Sequence, residues 1–294
     1  MKNVLITGAN SYIGTSFEKY IADNFSDAYQ IDTLDMMDSS WREKSFGGYD
    51  SIFHVAGLAH SDVGKISEEQ ERLYYSVNTD LAIETAKKAK AEGVKQFIYM
   101  SSAIVYGDSA PIGKAKVITK DTPVSPANCY GDSKVKAEKG LLPLTTDDFA
   151  VVVLRPPMIY GKGSKGNYPL LAKIATKIPV FPYVDNNRSM LYIENLSEFV
   201  RLVIENGEKG IFWPQNAEYT NTSELVKMIA IAHDKKIVLL RGFTWALKVL
   251  SKVTGLVNKA FGNLCYETQM SHYTSEYRVY SLKESVEKTE GKNE

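Results

Sequence analysis

The stretch that decides the fold is MKNVLITGANSYIG, residues 1–14. Its first part, Lys2–Thr7, contains the apolar run VLI and is followed by a glycine, which is typical of a strand buried on both faces of a parallel sheet. From Tyr12 onward, apolar side chains recur at helical spacing, namely Ile13, Phe17, Tyr20 and Ile21. The sequence therefore predicts a strand, a tight glycine turn and a helix.

The turn itself has the spacing of a dinucleotide-binding site. Gly8 permits the turn, the small Ser11 lets the backbone approach a pyrophosphate, and Gly14 lets the helix pack closely on its strand. The pyrophosphate would lie at the helix N-terminus, where N–H groups and the helix dipole favour an anion. We expect Asn10, Tyr12 and Ile13 to contact the same cofactor. The alternative is an ordinary turn between a strand and a helix.

Composition narrows the class of protein. A length of 294 residues suggests two domains, and 44% hydrophobic and 24% charged residues fit a globular chain. The net charge of zero gives no electrostatic case for nucleic acid. The two cysteines, Cys129 and Cys265, suggest neither a disulfide framework nor a metal site. With no apolar stretch of membrane-spanning length and no signal peptide before the first strand, we expect a cytoplasmic location.

The second predicted strand runs from Tyr29 to Asp35, and acidic residues in it and just after it favour NAD as the cofactor. An acid about 20 residues beyond the glycines binds the adenosine ribose hydroxyls in dinucleotide sites. Asp32 and Asp35 both satisfy this spacing, and Asp35 is preferred because it lies nearer the carboxyl end of the strand. Either carboxylate would repel a 2′-phosphate, which favours NAD over NADP. Asp38 could reach the adenine.

The third predicted strand, Ser51 to Ala56, is another buried apolar segment. The small residues at its end leave room for the cofactor, so Val55, Ala56 and Gly57 are candidate contacts. His60 is a candidate to line a substrate pocket, whereas His54 is expected to be structural. A long helix over Ser67–Glu92 and a strand ending near Ser101 follow. This order predicts an α/β fold with a doubly wound parallel sheet.

Tyr130 and Lys134 are the candidate catalytic pair. They are four residues apart in CYGDSK, so a helix would place them on one face. A lysine ammonium near a phenol lowers the pKa of the phenol, which can then exchange protons with substrate near neutral pH. Ser102, at the end of the preceding strand, would donate a hydrogen bond to the same substrate oxygen.

The segments TGANSYIG, HVAGLAH, SSAIVYG and YGDSK together resemble the extended short-chain dehydrogenase/reductases, in the NAD-dependent epimerase/dehydratase branch that includes UDP-glucose 4-epimerases. The resemblance covers residues 1 to about 205 and implies a Rossmann-type sheet with a small C-terminal substrate domain. The family's catalytic Ser/Thr and Tyr-x-x-x-Lys fall on Ser102, Tyr130 and Lys134. Ser11 replaces the middle glycine of the family's turn, which puts the pyrophosphate contact there in question.

The resemblance also implies substrate and cofactor contacts. Related dehydratases carry an Asp-Glu pair where this chain has Ala103 and Ile104, which argues against dehydration. Ser101 and Pro157 would lie near the nicotinamide. Met158 stands where related enzymes often have Asn. The remaining candidate contacts of the sugar diphosphate are Asn167, which is also a possible helix N-cap, and Arg188, whose planar fork suits a diphosphate.

The activity implied is an NAD-dependent 4-epimerase that acts on a diphosphate-linked sugar through a 4-keto intermediate. The diphosphate carrier could be a nucleotide or a polyprenol. Two alternatives remain: a 4-keto-sugar reductase with exchangeable cofactor, and a non-catalytic NAD-binding scaffold. A homodimer is expected by analogy alone.

Domain boundaries follow from the same pattern. Residues 1–160, joined by 188–206, are predicted to form the Rossmann domain. Residues 161–187 and 207–282 are predicted to form the small substrate domain, and 283–294 a disordered tail. The segment 243–261 is predicted to be one amphipathic helix with Lys248, Lys252 and Lys259 on its polar side. Such a helix either packs its apolar face against protein or makes a weak contact with a membrane surface.

Overall fold

The computed structural model describes residues 1–59, 66–251 and 255–291, without the side chains of Gly255 and Leu256. The chain divides into two compact units. Unit 1 consists of residues 1–107, 123–156 and 196–214, and unit 2 of residues 108–122, 157–195 and 215–294. Compared with the predicted boundaries, residues 108–122, 157–160 and 188–195 fall in unit 2, whereas 207–214 fall in unit 1.

The strands and helices of both units have the following bounds. The strands are β1 Lys2–Thr7, β2 Tyr29–Leu34, β3 Ser51–His54, β4 Gln96–Met100, β5 Val117–Ile118, β6 Ala150–Leu154, β7 Met158–Tyr160, β8 Val180–Pro182, β9 Met190–Tyr192, β10 Gly210–Phe212, β11 Val238–Leu240 and β12 Cys265–Tyr266. The helices are α1 Tyr12–Phe25, α2 Glu68–Tyr75, α3 Leu81–Ala91, α4 Cys129–Leu141, α5 Asn167–Lys177, α6 Ile193–Glu205, α7 Thr222–Ala232, α8 Thr244–Leu250, α9 Gly255–Phe261 and α10 Leu282–Thr289.

Unit 1 is built on a six-stranded parallel sheet with the order β10-β6-β4-β3-β1-β2. The central strands are buried on both faces, as their continuous apolar runs predict; every residue of β4, for example, is buried. Their carboxyl ends meet at one edge of the sheet, where ligands bind in doubly wound folds. The prediction of a doubly wound parallel sheet is confirmed.

Two predictions for unit 1 differ from the structure. Residue 211 falls in the range predicted for the substrate domain, but β10 pairs in parallel with β6 and extends the unit 1 sheet. With three residues, this strand is too short for its pattern to reveal its sheet. The long helix over 67–92 does form, but a π-helical turn at Ser76–Asp80 separates α2 from α3.

Unit 2 contains three two-stranded parallel sheets, β8 with β11, β5 with β12, and β7 with β9. Asn221 caps α7 by accepting hydrogen bonds from the N–H groups of Ser223 and Glu224. In the part of the chain that the structure describes, we find no helix with the length and apolarity needed to cross a bilayer.

Two predictions for unit 2 are wrong. The tail expected to be disordered forms α10, because Ser281 and Glu284 make a reciprocal capping box and Leu282 and Val286 are buried. The segment 243–261 is not one helix, since α8 ends at Leu250 and α9 begins at Gly255. Lys252, one of the three predicted lysines, lies outside the described residues, as do residues 292–294.

Candidate active site

The glycine turn after β1 joins the carboxyl ends of three strands. Gly8 adopts φ +115°, and a Cβ placed there would lie 2.6 Å from the backbone nitrogen of Ala56, which follows β3. The N–H groups of Gly8 and Ala9 both donate to the carbonyl of Leu34, the last residue of β2. Glycine is therefore required at position 8 for backbone conformation and for space.

Ser11, which replaces the middle glycine of the motif, is the N-cap of α1. Its hydroxyl accepts a hydrogen bond from the N–H of Gly14 at 3.1 Å. A Cβ at Gly14 would lie 2.7 Å from that hydroxyl and 3.0 Å from Ile6, so the third glycine allows close packing of helix and strand. The substitution therefore keeps a small residue in the turn and adds a helix cap.

The three candidate acids have different surroundings. The carboxylate of Asp32 accepts a hydrogen bond from the phenol of Tyr49 at 2.6 Å, and burial together with this contact raises the pKa of Tyr49 to about 12. Asp38 caps a short 3₁₀ turn, where hydrogen bonds from Ser40 lower the pKa of its carboxyl. Asp35 is exposed directly after β2, next to the carbonyl that binds the glycine turn. Its carboxylate accepts a hydrogen bond from the N–H of Met37 at 2.9 Å, and its exposure is compatible with the predicted ribose contact.

The residues after β3 pack against the candidate catalytic helix. The N–H groups of Val55 and Ala56 donate to the carbonyl of Thr7 at 3.0 and 2.9 Å. A Cβ at Gly57 would lie 3.0 Å from the amide oxygen of Asn78 and 3.3 Å from Nζ of Lys134. Gly57 therefore permits the close approach of this loop to Lys134.

The two histidines near β3 have separate outcomes. His54 is fully buried, shares a hydrogen bond with the Thr7 hydroxyl at 2.8 Å, and stacks on Phe97 and Tyr99. Burial, helped by the nearby Lys134, lowers the pKa of His54 to about 3, so this ring stays neutral, as expected for a structural residue. His60, the candidate pocket residue, lies outside the described residues.

Helix α4 places Lys134 at the carboxyl end of β4. This helix begins after Asn128, whose side chain accepts a hydrogen bond from the N–H of Gly131. The Lys134 ammonium donates to the carbonyl of Met100 at 2.8 Å and lies 4.7 Å from the centre of the Tyr99 ring. Burial lowers the pKa of Lys134 to about 7, although Glu138 opposes the shift.

Tyr130 lies one helical turn before Lys134, with its ring centre 6.0 Å from that of Tyr74. Burial raises the pKa of Tyr130 to about 12, and a hydrogen bond with Ser102 acts in the opposite direction. The expectation that Lys134 lowers this pKa is therefore not met in this structure, because burial dominates and the ammonium donates to the Met100 carbonyl instead. The structure does bring Ser102 and Tyr130 together.

A buried ion pair below this helix was not predicted from the sequence. The guanidinium of Arg155 donates to both carboxylate oxygens of Glu138, at 3.0 and 2.6 Å. Ser101 also donates its hydroxyl to Glu138, so its side chain points to this pair. Arg155 and the indole of Trp213 both donate to the phenol oxygen of Tyr106. The spacing of Glu138, four residues after Lys134, could have indicated that both lie on one face of α4.

Asn78 was also missed. It lies in the π-helical turn, where its side chain binds the N–H and the carbonyl of Leu58 and donates to the Ser133 hydroxyl on α4. The main-chain carbonyl of Asn78 accepts a hydrogen bond from the phenol of Tyr99. Asn78 therefore ties the loop after β3 to the helix that carries Tyr130 and Lys134. A π turn in a long helix often marks a functional site, but the sequence has no signal for it.

The other candidate residues are divided between the two units. In unit 1, Ala103 and Ile104 begin a 3₁₀ turn after Ser102. In unit 2, Met158 begins β7 directly after Pro157, and Asn167 is the first residue of α5, which makes its predicted capping role wrong because Gly166 is the N-cap. Arg188 donates to the carbonyls of Lys259 and Ala260 at the end of α9, and burial lowers the pKa of its guanidinium.

Comparison with known proteins agrees with this geometry. The sequence pattern of the NAD dependent epimerase/dehydratase family matches residues 4–213. The chain is 31% identical to a UDP-glucose 4-epimerase from Vibrio cholerae, over 92% of this chain and 88% of that protein. It is 26% identical to an N-acetyl-alpha-D-glucosaminyl-diphospho-ditrans,octacis-undecaprenol 4-epimerase from Escherichia coli O157:H7, over 98% and 94% of the two chains.

A solved structure extends the likeness in fold. The UDP-glucuronic acid 4-epimerase from Bacillus cereus, in complex with NAD, aligns with a TM-score of 0.71 at 16% identity, over 97% of this chain and 96% of that one. In unit 1, the turn from Gly8 to Gly14 and the exposed Asp35 after β2 fit a bound NAD. The sequence match and the site geometry lead to one conclusion: this chain belongs to the NAD dependent epimerase/dehydratase family.

Proposed function

We propose that the protein is an NAD-dependent 4-epimerase of sugars carried on a diphosphate. The observation that carries this proposal is the placement of Tyr130 on α4 one helical turn before Lys134, whose buried ammonium donates to the carbonyl of Met100, with Ser102 close enough to influence the phenol. The two residues after Ser102 are Ala103 and Ile104, and neither can donate or accept a proton. This favours oxidation and reduction at one carbon over loss of water.

Cofactor binding is assigned to the carboxyl edge of the unit 1 sheet. The turn from Gly8 to Gly14 would bind the pyrophosphate, and Asp35 would accept hydrogen bonds from the ribose hydroxyls. Lys134 would hold the second ribose, on the nicotinamide side. When bound, NAD supplies a reversible hydride acceptor. Because the hydride must return to the same sugar, we expect the protein to retain its cofactor between turnovers.

Tyr130 is assigned the proton transfers. In this structure the raised pKa of its phenol keeps the proton on the oxygen at neutral pH. This proton must first be lost, so that the phenolate can take the proton of the 4-hydroxyl in the oxidative half; the phenol so formed would give that proton to the 4-keto oxygen in the reductive half. Ser102 would orient the same substrate oxygen. Inversion requires the keto sugar to turn over before the second half-reaction.

The carrier of the sugar remains a choice between two classes. The relative from Vibrio cholerae is named for a UDP sugar, and the relative from Escherichia coli for a sugar on undecaprenyl diphosphate. Both carriers present a diphosphate, and within unit 2 we assign Arg188 to it. Met158 provides no hydrogen-bond donor for a phosphate, so the diphosphate contact would depend on cationic side chains.

The test is to incubate the purified protein, without added cofactor, with UDP-glucose, UDP-N-acetylglucosamine and their polyprenyl diphosphate counterparts. We expect interconversion of the 4-epimers by NMR for at least one of them, with NAD released only on denaturation. In a second assay with added NADH and a 4-keto sugar, stoichiometric consumption of NADH would identify a reductase instead. Bound NAD with no conversion of any sugar in either carrier class would overturn the proposal in favour of a scaffold.

A further inference from the structure

One face of a small sheet in unit 2 is apolar and exposed. Strands β8 and β11 run in parallel, with Val180 opposite Val238 and Pro182 opposite Leu240. Val238 is 57% exposed, and Val180 and Leu240 are also exposed, whereas Phe181, which points to the opposite face, is buried against Phe261. The sheet therefore has one face in the core of unit 2 and one apolar face outside it.

The helix after this sheet continues the apolar surface. α8 begins four residues after the end of β11, so the two elements are within about 15 Å along the chain. Trp245 is 70% exposed and Val249 is 59% exposed, and Phe243 and Leu250 are exposed as well. We call this surface the unit 2 strip and define it as β8, β11 and residues 241–250.

The charges along the unit 2 strip have one sign. The segments 173–182 and 235–251, which include the strip and its flanks, contain basic residues and no aspartate or glutamate. The basic residues are Lys173, Lys177, Lys235, Lys236, Arg241 and Lys248. All six are exposed. The chain as a whole has equal numbers of basic and acidic residues, so this is a local excess of positive charge.

We propose that the unit 2 strip docks on the surface of an anionic lipid bilayer. Exposed Trp and Phe side chains are suited to the boundary between head groups and acyl chains, and the surrounding cations are suited to anionic head groups. A second copy of the chain fits less well. A symmetric dimer places the same patch on both partners, so it would bring these cations against each other. This inference goes beyond the proposed function and does not depend on it.

The experiment is sedimentation of the full chain with vesicles of phosphatidylcholine, with and without phosphatidylglycerol. We expect binding to the anionic vesicles that weakens as salt is raised. Arg241→Glu with Lys248→Glu should weaken it by at least about tenfold, at roughly 1 kcal/mol for each cation. The matched control is Lys87→Glu with Lys209→Glu, exposed lysines of unit 1, which should leave binding unchanged.

Tryptophan fluorescence identifies the part of the surface that enters the lipid. Of the three tryptophans, Trp41 is buried and Trp213 is bonded to Tyr106, so a blue shift on vesicle addition would report on Trp245. We expect the shift to be lost in Trp245→Phe, with sedimentation retained. Trp245→Ser should weaken sedimentation, whereas Leu73→Ser, an exposed apolar position on α2, should not.

Three outcomes would overturn the proposal. The first is no sedimentation with anionic vesicles at low salt. The second is sedimentation that the unit 1 charge variant weakens as much as the strip variant. The third is a dimer in analytical ultracentrifugation that Trp245→Ser dissociates, since the strip would then be a protein interface.

Discussion

Helices α4 and α8 use their side chains in opposite ways. α4 buries charged and polar groups, including Lys134 and Glu138, and each of these two has a partner in the structure. α8 leaves Trp245 and Val249 in solvent. Both arrangements cost stability, because burial penalises charge and exposure forfeits apolar burial. Buried charged groups on α4 and exposed apolar groups on α8 both depart from the usual burial pattern. We expect such departures at sites that bind or react with another molecule.

The largest expected effect is on the chemistry of α4. Tyr130→Phe removes the proton donor and acceptor, so turnover should fall roughly 10²–10⁴-fold while NAD binding is kept. Steady-state assays on the sugar that the interconversion test selects would measure this fall. The matched control is Tyr75→Phe, whose phenol donates to Asp132 in unit 1. Turnover close to the native value in Tyr130→Phe would remove this residue from its assigned role.

The buried ion pair of α4 should dominate stability. Glu138→Gln leaves the Arg155 guanidinium buried without its carboxylate, and breaking such a pair costs about 3–5 kcal/mol. Chemical denaturation would measure the free energy of unfolding. The exposed pair Arg42–Glu84 has the same two-pronged geometry, but Glu84→Gln should cost at most about 1 kcal/mol. Equal losses of unfolding free energy in the two variants would show that burial does not determine how much an ion pair contributes to stability.

Cofactor affinity should separate the two candidate acids. Asp35→Asn removes the charge from the expected ribose contact, and hydrogen bonds to charged groups contribute about 1.5–3 kcal/mol, so NAD should bind roughly 10–100-fold more weakly. Asp32→Asn should have a smaller effect, because Tyr49 occupies its carboxylate. Calorimetry with NAD and NADP would test both variants. The native protein should prefer NAD, and equal affinity for the two cofactors would show that neither acid faces the ribose.

Lys134 should give the stability of the protein a defined pH dependence. Its pKa is about 7 in the folded protein and about 10.4 in an unfolded chain. Folding therefore expels a proton between these values, and the destabilising effect is full below pH 7 and fades as the pH rises towards 10. Lys134→Met should raise the melting temperature by about 2–4 °C at pH 6 and by less at pH 9. A difference in melting temperature between Lys134→Met and the native protein that grows with pH would contradict this assignment.

The smallest expected effect lies on α8. Val249→Ser changes a side chain that is already in solvent, so the free energy of unfolding should change by less than about 0.5 kcal/mol. Leu154→Ala, at a fully buried position of β6, should cost about 2–5 kcal/mol. A large loss of stability in Val249→Ser would show that α8 packs against protein in solution, which would remove its contrast with α4.

The sequence predicted those features whose signals are local. The turn at Gly8 and Gly14 and the pair Tyr130 and Lys134 each depend on a few neighbouring residues. The capping box of α10 was equally local, since Ser281 and Glu284 have the required spacing, and the charged composition of the tail concealed it.

Other features depend on contacts between distant parts of the chain. Arg155 meets Glu138 only because β6 ends beside α4 in the folded sheet. The short β10 has no pattern that distinguishes the sheet it joins. The pKa of Tyr130 depends on burial, which spacing does not reveal, so the expected influence of Lys134 was outweighed.

The pairing of β5 with β12 has a consequence for how the protein is made. Val117 pairs with Cys265, about 150 residues further along the chain. At about 5–20 residues per second, a ribosome needs roughly 7–30 s to deliver the partner strand. All the strands of the unit 1 sheet, of which β10 is the last along the chain, are synthesised before β12. The first unit can therefore fold while translation continues, whereas β5 cannot pair until β12 has been synthesised.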